Sequence, residues 1–254
     1  MKKIQLILII LLGITAFIYS GGNQDYVGNN TFEYKLNGFT GIQGLAAFNI
    51  EVKQSDKFSV LIIADKSMKE KLIVEVRGDN LYLGIKPFSG FNLKTPKAII
   101  TMPQLHAVEL SGASEMVAAG FKSNRGFTCD LSGSSSLEID IIGEALNFNL
   151  SGSSEVTAVV EGSDTTIKLS GSSDIKLIGK TKSLKIDANG ASKGIFKDML
   201  TGNVTAELSG SSDIYVNMNG TLNIHASGAS ILYYTGNVTL GEIELSGASS
   251  VKEE

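Results

Sequence analysis

Apolar and polar residues alternate along most of the chain, and the alternation repeats at a nearly constant interval. A glycine marks each repeat, and successive reference glycines are 18 to 21 residues apart, most often 19. Apolar residues predominate four and two positions before each glycine and four and six positions after it. Since these offsets are all even, the period is two, which is typical of β-strands with one buried face. The reference glycines are Gly112, Gly133, Gly152, Gly171, Gly190, Gly210, Gly228 and Gly247.

The motif around these glycines is Leu-Ser-Gly-Ser-Ser, which occurs unaltered from Leu131, Leu150, Leu169 and Leu208. A coil of this length cannot bury its apolar face alone, but a stack of coils can. The recurring glycine suits a corner that requires a positive φ or a close backbone approach. We expect the serine hydroxyls beside it to stack as a ladder that gives and accepts hydrogen bonds. The pattern predicts an all-β fold, a β-helix (solenoid) with coils of about 19 residues.

The chain is predicted to have one domain behind an export signal. Residues 1–22 resemble a secretory signal peptide, because Lys2 and Lys3 precede an apolar run that is short for a membrane span. An uncleaved anchor is the alternative, and cleavage would leave no transmembrane domain. Residues 23–30 are expected to be flexible. Residues 31–254 are predicted to form the β-helix, with less regular coils over 31–103 and regular coils over 104–251.

Three segments carry a family resemblance. These are Ala47-Phe48-Asn49-Ile50-Glu51-Val52, Ala98-Ile99-Ile100-Thr101-Met102-Pro103 and Val108-Glu109-Leu110-Ser111-Gly112-Ala113-Ser114. Together with the repeats they resemble the head GIN domain of the putative auto-transporter adhesins, which are secreted bacterial proteins. The resemblance covers about residues 32–251. It implies a right-handed β-helix and an adhesin-like role, and it supplies no catalytic motif.

Charge and cysteine content narrow the function classes. Loss of Lys2 and Lys3 with the signal takes the net charge from −4 to −6, which argues against nucleic acid as a partner. Cys129 is the single cysteine, so no intramolecular disulfide can form. Its offset places it in an inward apolar column, where a free cysteine acts as a small hydrophobe.

No residue pattern indicates catalysis or a cofactor. His106 and His225 have different offsets in distant coils, so neither a metal pair nor a catalytic dyad is predicted from them. No Gly-x-Ser-x-Gly nucleophile elbow and no phosphate-binding loop is predicted at a strand-to-helix junction. Enzymes that act on polysaccharides place their sites in grooves built by long loops. The nearly uniform coil length predicts little room for such a groove.

Two outward columns are rich in acidic residues. Glu155 and Asp174 should be neighbours three positions after the glycine, and Glu109 and Asp130 should be neighbours three positions before it. Carboxylates this close could share Ca²⁺, since hard cations take oxygen ligands. The alternative, which we favour, is a solvated face whose acidic run is interrupted by lysines.

Two features point to binding surfaces. Tyr215 and Tyr233 share an outward offset in adjacent coils and could form an aromatic patch, although Tyr234 falls on an inward offset. The last repeat is followed by only a few residues, so its strand edges are expected to be exposed and could pair with a second copy of the chain.

The sequence therefore favours an exported, non-enzymatic protein that acts in adhesion or surface interaction. Its partner would be a protein or a glycan at the cell envelope. The alternative is a periplasmic or envelope scaffold that binds a protein partner, and an enzyme acting on polysaccharide is the least favoured class. The location is predicted to be the periplasm, the cell surface or the medium.

Overall fold

The computed structural model describes residues 30–87, 94–123 and 125–254. The predicted signal and nearly all of the expected flexible segment lie outside the described residues. The described chain forms nineteen strands that belong to one continuous sheet, and a short 3-10 helix spans Lys66–Met68. Most strands pair in parallel with the equivalent strand of the next coil. The fold is a β-solenoid, as the alternating pattern predicted.

The regular coils run from β8 to the end of the chain. A Leu-Ser-Gly-Ser-Ser corner or its variant separates two strands, and from β15 onward a strand continues around the opposite corner, so the strands become longer. The bounds are β8 Ala107–Leu110, β9 Glu115–Ser123, β10 Phe127–Leu131, β11 Ser136–Gly143, β12 Ala145–Leu150, β13 Glu155–Glu161, β14 Asp164–Leu169, β15 Asp174–Ala188, β16 Lys193–Leu208, β17 Asp213–Ala226, β18 Ile231–Leu245 and β19 Ser250–Glu253.

Equivalent residues of neighbouring coils lie side by side, which places the predicted inward columns in one continuous core. Val156 pairs with Ile175, for example, and all the predicted inward residues from Val108 to Ala226 are buried. A one-residue slip would turn every apolar side chain to solvent, so burial fixes the register. Burial of the regular inward columns is lost at the last coil, where Leu245 is 45% exposed.

The glycine corners meet both predicted requirements. All eight reference glycines have φ between +69° and +77°. A Cβ atom on Gly171 would lie 2.6 Å from the carbonyl oxygen of Gly152 in the preceding coil. The next residue, Ser172, donates its backbone N–H to that same oxygen at 2.8 Å. The corner therefore needs glycine for its backbone angle and for the close approach of the next coil.

The serine hydroxyls differ from the expected ladder. From the Gly133 coil to the Gly228 coil, the serine two positions after the glycine is buried, and its hydroxyl donates to a backbone carbonyl three residues earlier in its own coil. Ser154 reaches Ser151 O at 3.0 Å, and Ser173 reaches Ser170 O at 3.0 Å. The serines are stacked in a column, but their hydroxyl hydrogens go to carbonyls of their own turns and not along the ladder.

The first coils are the less regular ones, and their order in the stack differs from their order in the chain. β2 lies between β6 and β8, and β3 lies between β7 and β9. Three antiparallel pairings then cover this end of the stack: β4 on β7, β1 on β4, and β5 on β6. The bounds are β1 Asn30–Tyr34, β2 Gly41–Gly44, β3 Asn49–Gln54, β4 Ser59–Ala64, β5 Leu72–Arg77, β6 Asn80–Ile85 and β7 Lys97–Met102.

The glycine column extends one coil further than the sequence suggested, to Ala46. This alanine has φ of +99°, and its carbonyl oxygen accepts the N–H of Ala113 at 2.8 Å, as the glycine carbonyl does in later coils. A left-handed angle costs a non-glycine residue about 1–2 kcal/mol. The corner between β2 and β3 is therefore strained but structurally equivalent.

Candidate functional site

The aromatic patch predicted on the outward face is formed by two stacked rings. Tyr215 of β17 and Tyr233 of β18 are paired in register. Their ring centroids are 4.7 Å apart and their planes differ by 5°. Because neighbouring strands are ~4.8 Å apart, side chains in the same column can stack face to face without bending the backbone. The backbone thus holds both rings in a defined position.

Lysine side chains cover the outer faces of this ring pair. The Nζ atoms of Lys197 and Lys193 lie 4.5 and 5.9 Å from the Tyr215 centroid. At the other end, Lys252 lies 5.6 Å from the Tyr233 centroid. These distances suit cation–π attraction. The ring faces are therefore occupied, and the surface offers ring edges, hydroxyl groups and ammonium groups. We call these five residues the tyrosine–lysine strip.

The electrostatics of the strip favour a neutral Tyr215 hydroxyl. Partial burial raises the pKa of Tyr215, and the nearby carboxylate of Asp213 and the second ring of Tyr233 raise it further, while Lys197 opposes them. Glu254 forms an ion pair with Lys197 at 2.5 Å, which partly offsets the positive charge. At neutral pH the Tyr215 hydroxyl can therefore donate a hydrogen bond, and the strip combines it with cationic groups.

The two acidic pairs are neighbours in the stack. Glu155 lies beside Asp174, and Glu109 lies beside Asp130. Side-chain amides already contact the second pair: Gln43 Nε2 donates to Glu109 at 2.6 Å, and Asn149 Nδ2 donates to Asp130 at 2.7 Å. In these columns a lysine follows on the next strand, at Lys168 after Asn149 and at Lys193 after Asp174. The arrangement matches a solvated face with local hydrogen bonds.

The structure also groups three residues that the sequence analysis did not combine. His225 Nε2 lies 3.7 Å from a carboxylate oxygen of Glu242 and 3.8 Å from one of Glu244. Within the described residues, this is the group of three side chains close enough to share a metal ion, and all three are exposed. The spacing of 19 residues between His225 and Glu244 could have revealed the pair. His106 lies elsewhere, hydrogen-bonded to Ser123 and Gln104.

No helix among the described residues has the length and apolar character needed to cross a membrane. The sequence predicts no catalytic residue, and no nucleophile is hydrogen-bonded to a base among the five residues of the strip.

Solved structures share this fold. A crystal structure described as a putative lipid binding protein from Parabacteroides distasonis superimposes with a TM-score of 0.83 at 20% identity, covering 89% of this chain and 97% of that one. A putative adhesin from Parabacteroides merdae gives a TM-score of 0.82 at 15% identity, with 89% and 96% covered. One from Bacteroides fragilis gives 0.62 at 21% identity, with 89% and 97% covered. These identities establish the fold alone.

No curated protein matches the chain significantly. A family model does match, over residues 38–238, which is most of the chain. Its description is the putative auto-transporter adhesin, head GIN domain, the family to which the resemblance of the repeats pointed. The chain belongs to this family.

Proposed function

We propose that this protein is an exported, non-enzymatic module that binds a protein or glycan partner through the outward face of its last coils. The family description and the names of two related structures, both putative adhesins, support a role in surface interaction. A solenoid also presents an extended, rigid lateral surface, which suits contact with extended partners.

The tyrosine–lysine strip is the observation that carries this proposal. Tyrosines are favoured in binding surfaces because they carry a hydroxyl group on a rigid ring and lose few side-chain rotations on binding. Tyr215 and Tyr233 are already fixed by mutual stacking and by the backbone register. Little conformational entropy remains to be lost when a partner binds. Flanking lysines add hydrogen-bond donors that can recognise hydroxyl, carbonyl or acidic groups.

A binding assay tests the strip directly. Labelled protein without its predicted signal is applied to printed glycans, to extracellular-matrix proteins and to isolated cell envelopes. For the surface that retains the wild type, we expect the double variant Tyr215→Ala/Tyr233→Ala to bind at least tenfold more weakly, since truncated anchor residues typically cost 1–2 kcal/mol or more.

Tyr82→Ala is the matched control. Tyr82 also carries a cation over its ring, Arg77 at 3.5 Å, but it lies on β6 at the opposite end of the stack. Its loss should leave binding unchanged. Equal binding by the wild type and the double variant would remove the strip from the proposal, and equal losses in both variants would indicate a nonspecific aromatic effect.

A scaffold inside the envelope is the second candidate function, and location separates the two. Protease treatment of intact cells should remove the protein, or the protein should appear in the medium, if it acts at the surface. Protection until the outer envelope is opened would favour a periplasmic scaffold, and the search for partners would then turn to envelope proteins.

We also propose that the open end of the stack can pair with a second copy. β19 covers β18 only from Ile231 to Tyr234. Beyond Tyr234, the described residues contain no strand paired with the outer edge of β18, and Leu245 is 45% exposed there. The edge strand of a second copy could pair with the unpaired backbone groups of β18 and also cover Leu245. Light scattering that shows a monomer at high concentration would reject self-association; a dimer abolished by Leu245→Lys would support it.

A further inference from the structure

A groove runs along the stack at the corner opposite the Leu-Ser-Gly-Ser-Ser corners. It has a volume of about 750 Å³ and extends across six successive coils, from Ser123 to Asn219. At a spacing of ~4.8 Å per coil, its length is about 24 Å. The uniform coil length predicted little room for a groove, yet this one needs no long loop. It lies along a bend of the chain, between an inward column of small residues and an outward column of larger residues.

One wall of the groove has an ordered composition. Ile142, Glu161, Lys180 and Leu200 occupy the same outward column in four consecutive coils. The two residues at the ends of this column are aliphatic and exposed to solvent, Ile142 to 40% and Leu200 to 54%. Between them, Lys180 Nζ lies 2.8 Å from a carboxylate oxygen of Glu161, and both side chains are exposed. The wall therefore reads apolar, acidic, basic, apolar at intervals of one coil.

Small polar residues form the floor. Thr181 and Thr201 are buried neighbours in the adjacent inward column. Each hydroxyl donates to a backbone carbonyl of the protein: Thr181 to Ser183 O at 2.9 Å, and Thr201 to Asn217 O at 3.2 Å. The Thr181 hydroxyl also accepts a hydrogen bond from Thr165 at 3.0 Å. Both hydroxyl hydrogens are therefore used within the fold, and the two side chains shape the floor of the groove.

These features select among extended ligands. An acyl chain in the groove would remove water from Glu161 and Lys180 without offering them hydrogen bonds, which is unfavourable. A peptide strand cannot add to the sheet here, because the lining strands are paired with neighbours on both sides. A sugar chain offers apolar C–H faces for Ile142 and Leu200 and hydroxyl groups for the charged pair. The coil spacing is also comparable with the length of one sugar ring.

We propose that this groove binds a neutral oligosaccharide chain laid along the solenoid axis. The inference rests on the proposed function, since it names a ligand class for a binding module, but it places the contact at a site separate from the tyrosine–lysine strip. The chain could come from the cell's own envelope polysaccharide or from a foreign surface, since both present the same hydroxyl chemistry.

The test uses printed neutral oligosaccharides of increasing length, with bacterial envelope and animal surface sources on separate fields, followed by calorimetry with the strongest binder. Affinity should rise with length until the chain fills the ~24 Å groove. Leu200→Ser should weaken binding about tenfold, since it removes an apolar contact. Leu240→Ser is the control, because Leu240 on β18 is also 54% exposed but does not line the groove. Thermal melting confirms that both variants remain folded.

The outcomes separate the alternatives. Loss of glycan binding in Leu200→Ser alone supports the groove, and the field that binds identifies the source. No glycan binding, or equal binding by both leucine variants, overturns the inference. Displacement of a fluorescent fatty acid that depends on Leu200 would overturn it in favour of an acyl ligand. The variant Tyr215→Ala/Tyr233→Ala, run in parallel, shows whether the strip fails independently of the groove.

Discussion

Replacement of one corner glycine offers a sharp test of why the coils stack as they do. Gly171 has φ of +74°, and a Cβ atom there would lie 2.6 Å from Gly152 O. Gly120, within β9, has nearly the same φ of +76°, but a Cβ atom there would have no heavy atom within 4 Å. Alanine at Gly120 therefore adds only backbone strain, whereas alanine at Gly171 adds strain and a collision with the preceding coil.

The difference between these two variants can be estimated. A left-handed angle costs alanine about 1–2 kcal/mol, which is the whole expected effect of Gly120→Ala. In Gly171→Ala the two corners must move apart, and the bond from Ser172 N to Gly152 O, 2.8 Å long, is lost or weakened. A broken internal bond adds roughly 1–3 kcal/mol, so we expect a total of about 2–5 kcal/mol.

Urea unfolding followed by circular dichroism measures both values. Because repeat proteins can unfold from one end, the denaturant slopes of wild type and variants must agree before the free energies are compared. Equal destabilisation by Gly120→Ala and Gly171→Ala would refute the close-approach argument and leave backbone angle as the single reason for glycine. Destabilisation near 1 kcal/mol in both would do so most clearly.

Four further outcomes are expected. Ser173→Ala should lower the free energy of unfolding by about 1–2 kcal/mol, because Ser170 O loses its donor, while the exposed Ser172→Ala should have almost no effect in the same urea assay. Leu150→Asp should lose several kcal/mol or fail to fold, because Leu150 is buried within the apolar stack; wild-type melting would contradict the inward columns. Partial burial raises the pKa of Asp140, so the ionised carboxylate at neutral pH opposes folding. Asp140→Asn should therefore have a higher melting temperature than the wild type at pH 7. The difference in melting temperature should disappear below about pH 4, where the carboxyl is protonated in both the folded and the unfolded chain. Burial also raises the pKa of the Cys129 thiol well above its usual range, so a thiol reagent should label it only after unfolding.

The regular coils could be predicted from the sequence because one local rule fixes them. The period of two sets which side chains point inward, and the 19-residue interval sets which strands become neighbours. The order of the first strands could not be predicted in this way. β2 lies between β6 and β8 in the sheet, although β3, β4 and β5 separate β2 from β6 along the chain. Such pairing depends on long-range contacts that no local period encodes. The corner at Ala46 was also hidden, because alanine occupies the place of the glycine.

The candidate surfaces were predictable to different degrees. The stacking of Tyr215 on Tyr233 follows from their common offset in adjacent coils. Lys252 could have been added by the same argument, since it lies one coil further in that column. Lys197 could not, because a bulge between β16 and β17 shifts the register there. The groove could not be predicted from coil length, because its depth depends on the difference in side-chain size between two adjacent columns.

Residue types vary more in the outward columns than in the inward ones, and this difference indicates which surfaces can carry a function. The inward columns are mostly apolar from coil to coil, since a change there affects the packing of both neighbouring coils. The outward column of the strip instead changes from Ile195 to Tyr215, Tyr233 and Lys252 within four coils, with no change in backbone pairing. A solenoid therefore lets a binding surface be assembled from residues that stability does not constrain. The strip and the groove are both places where several outward residues form one contiguous arrangement, and for that reason they are stronger candidates than any single exposed residue.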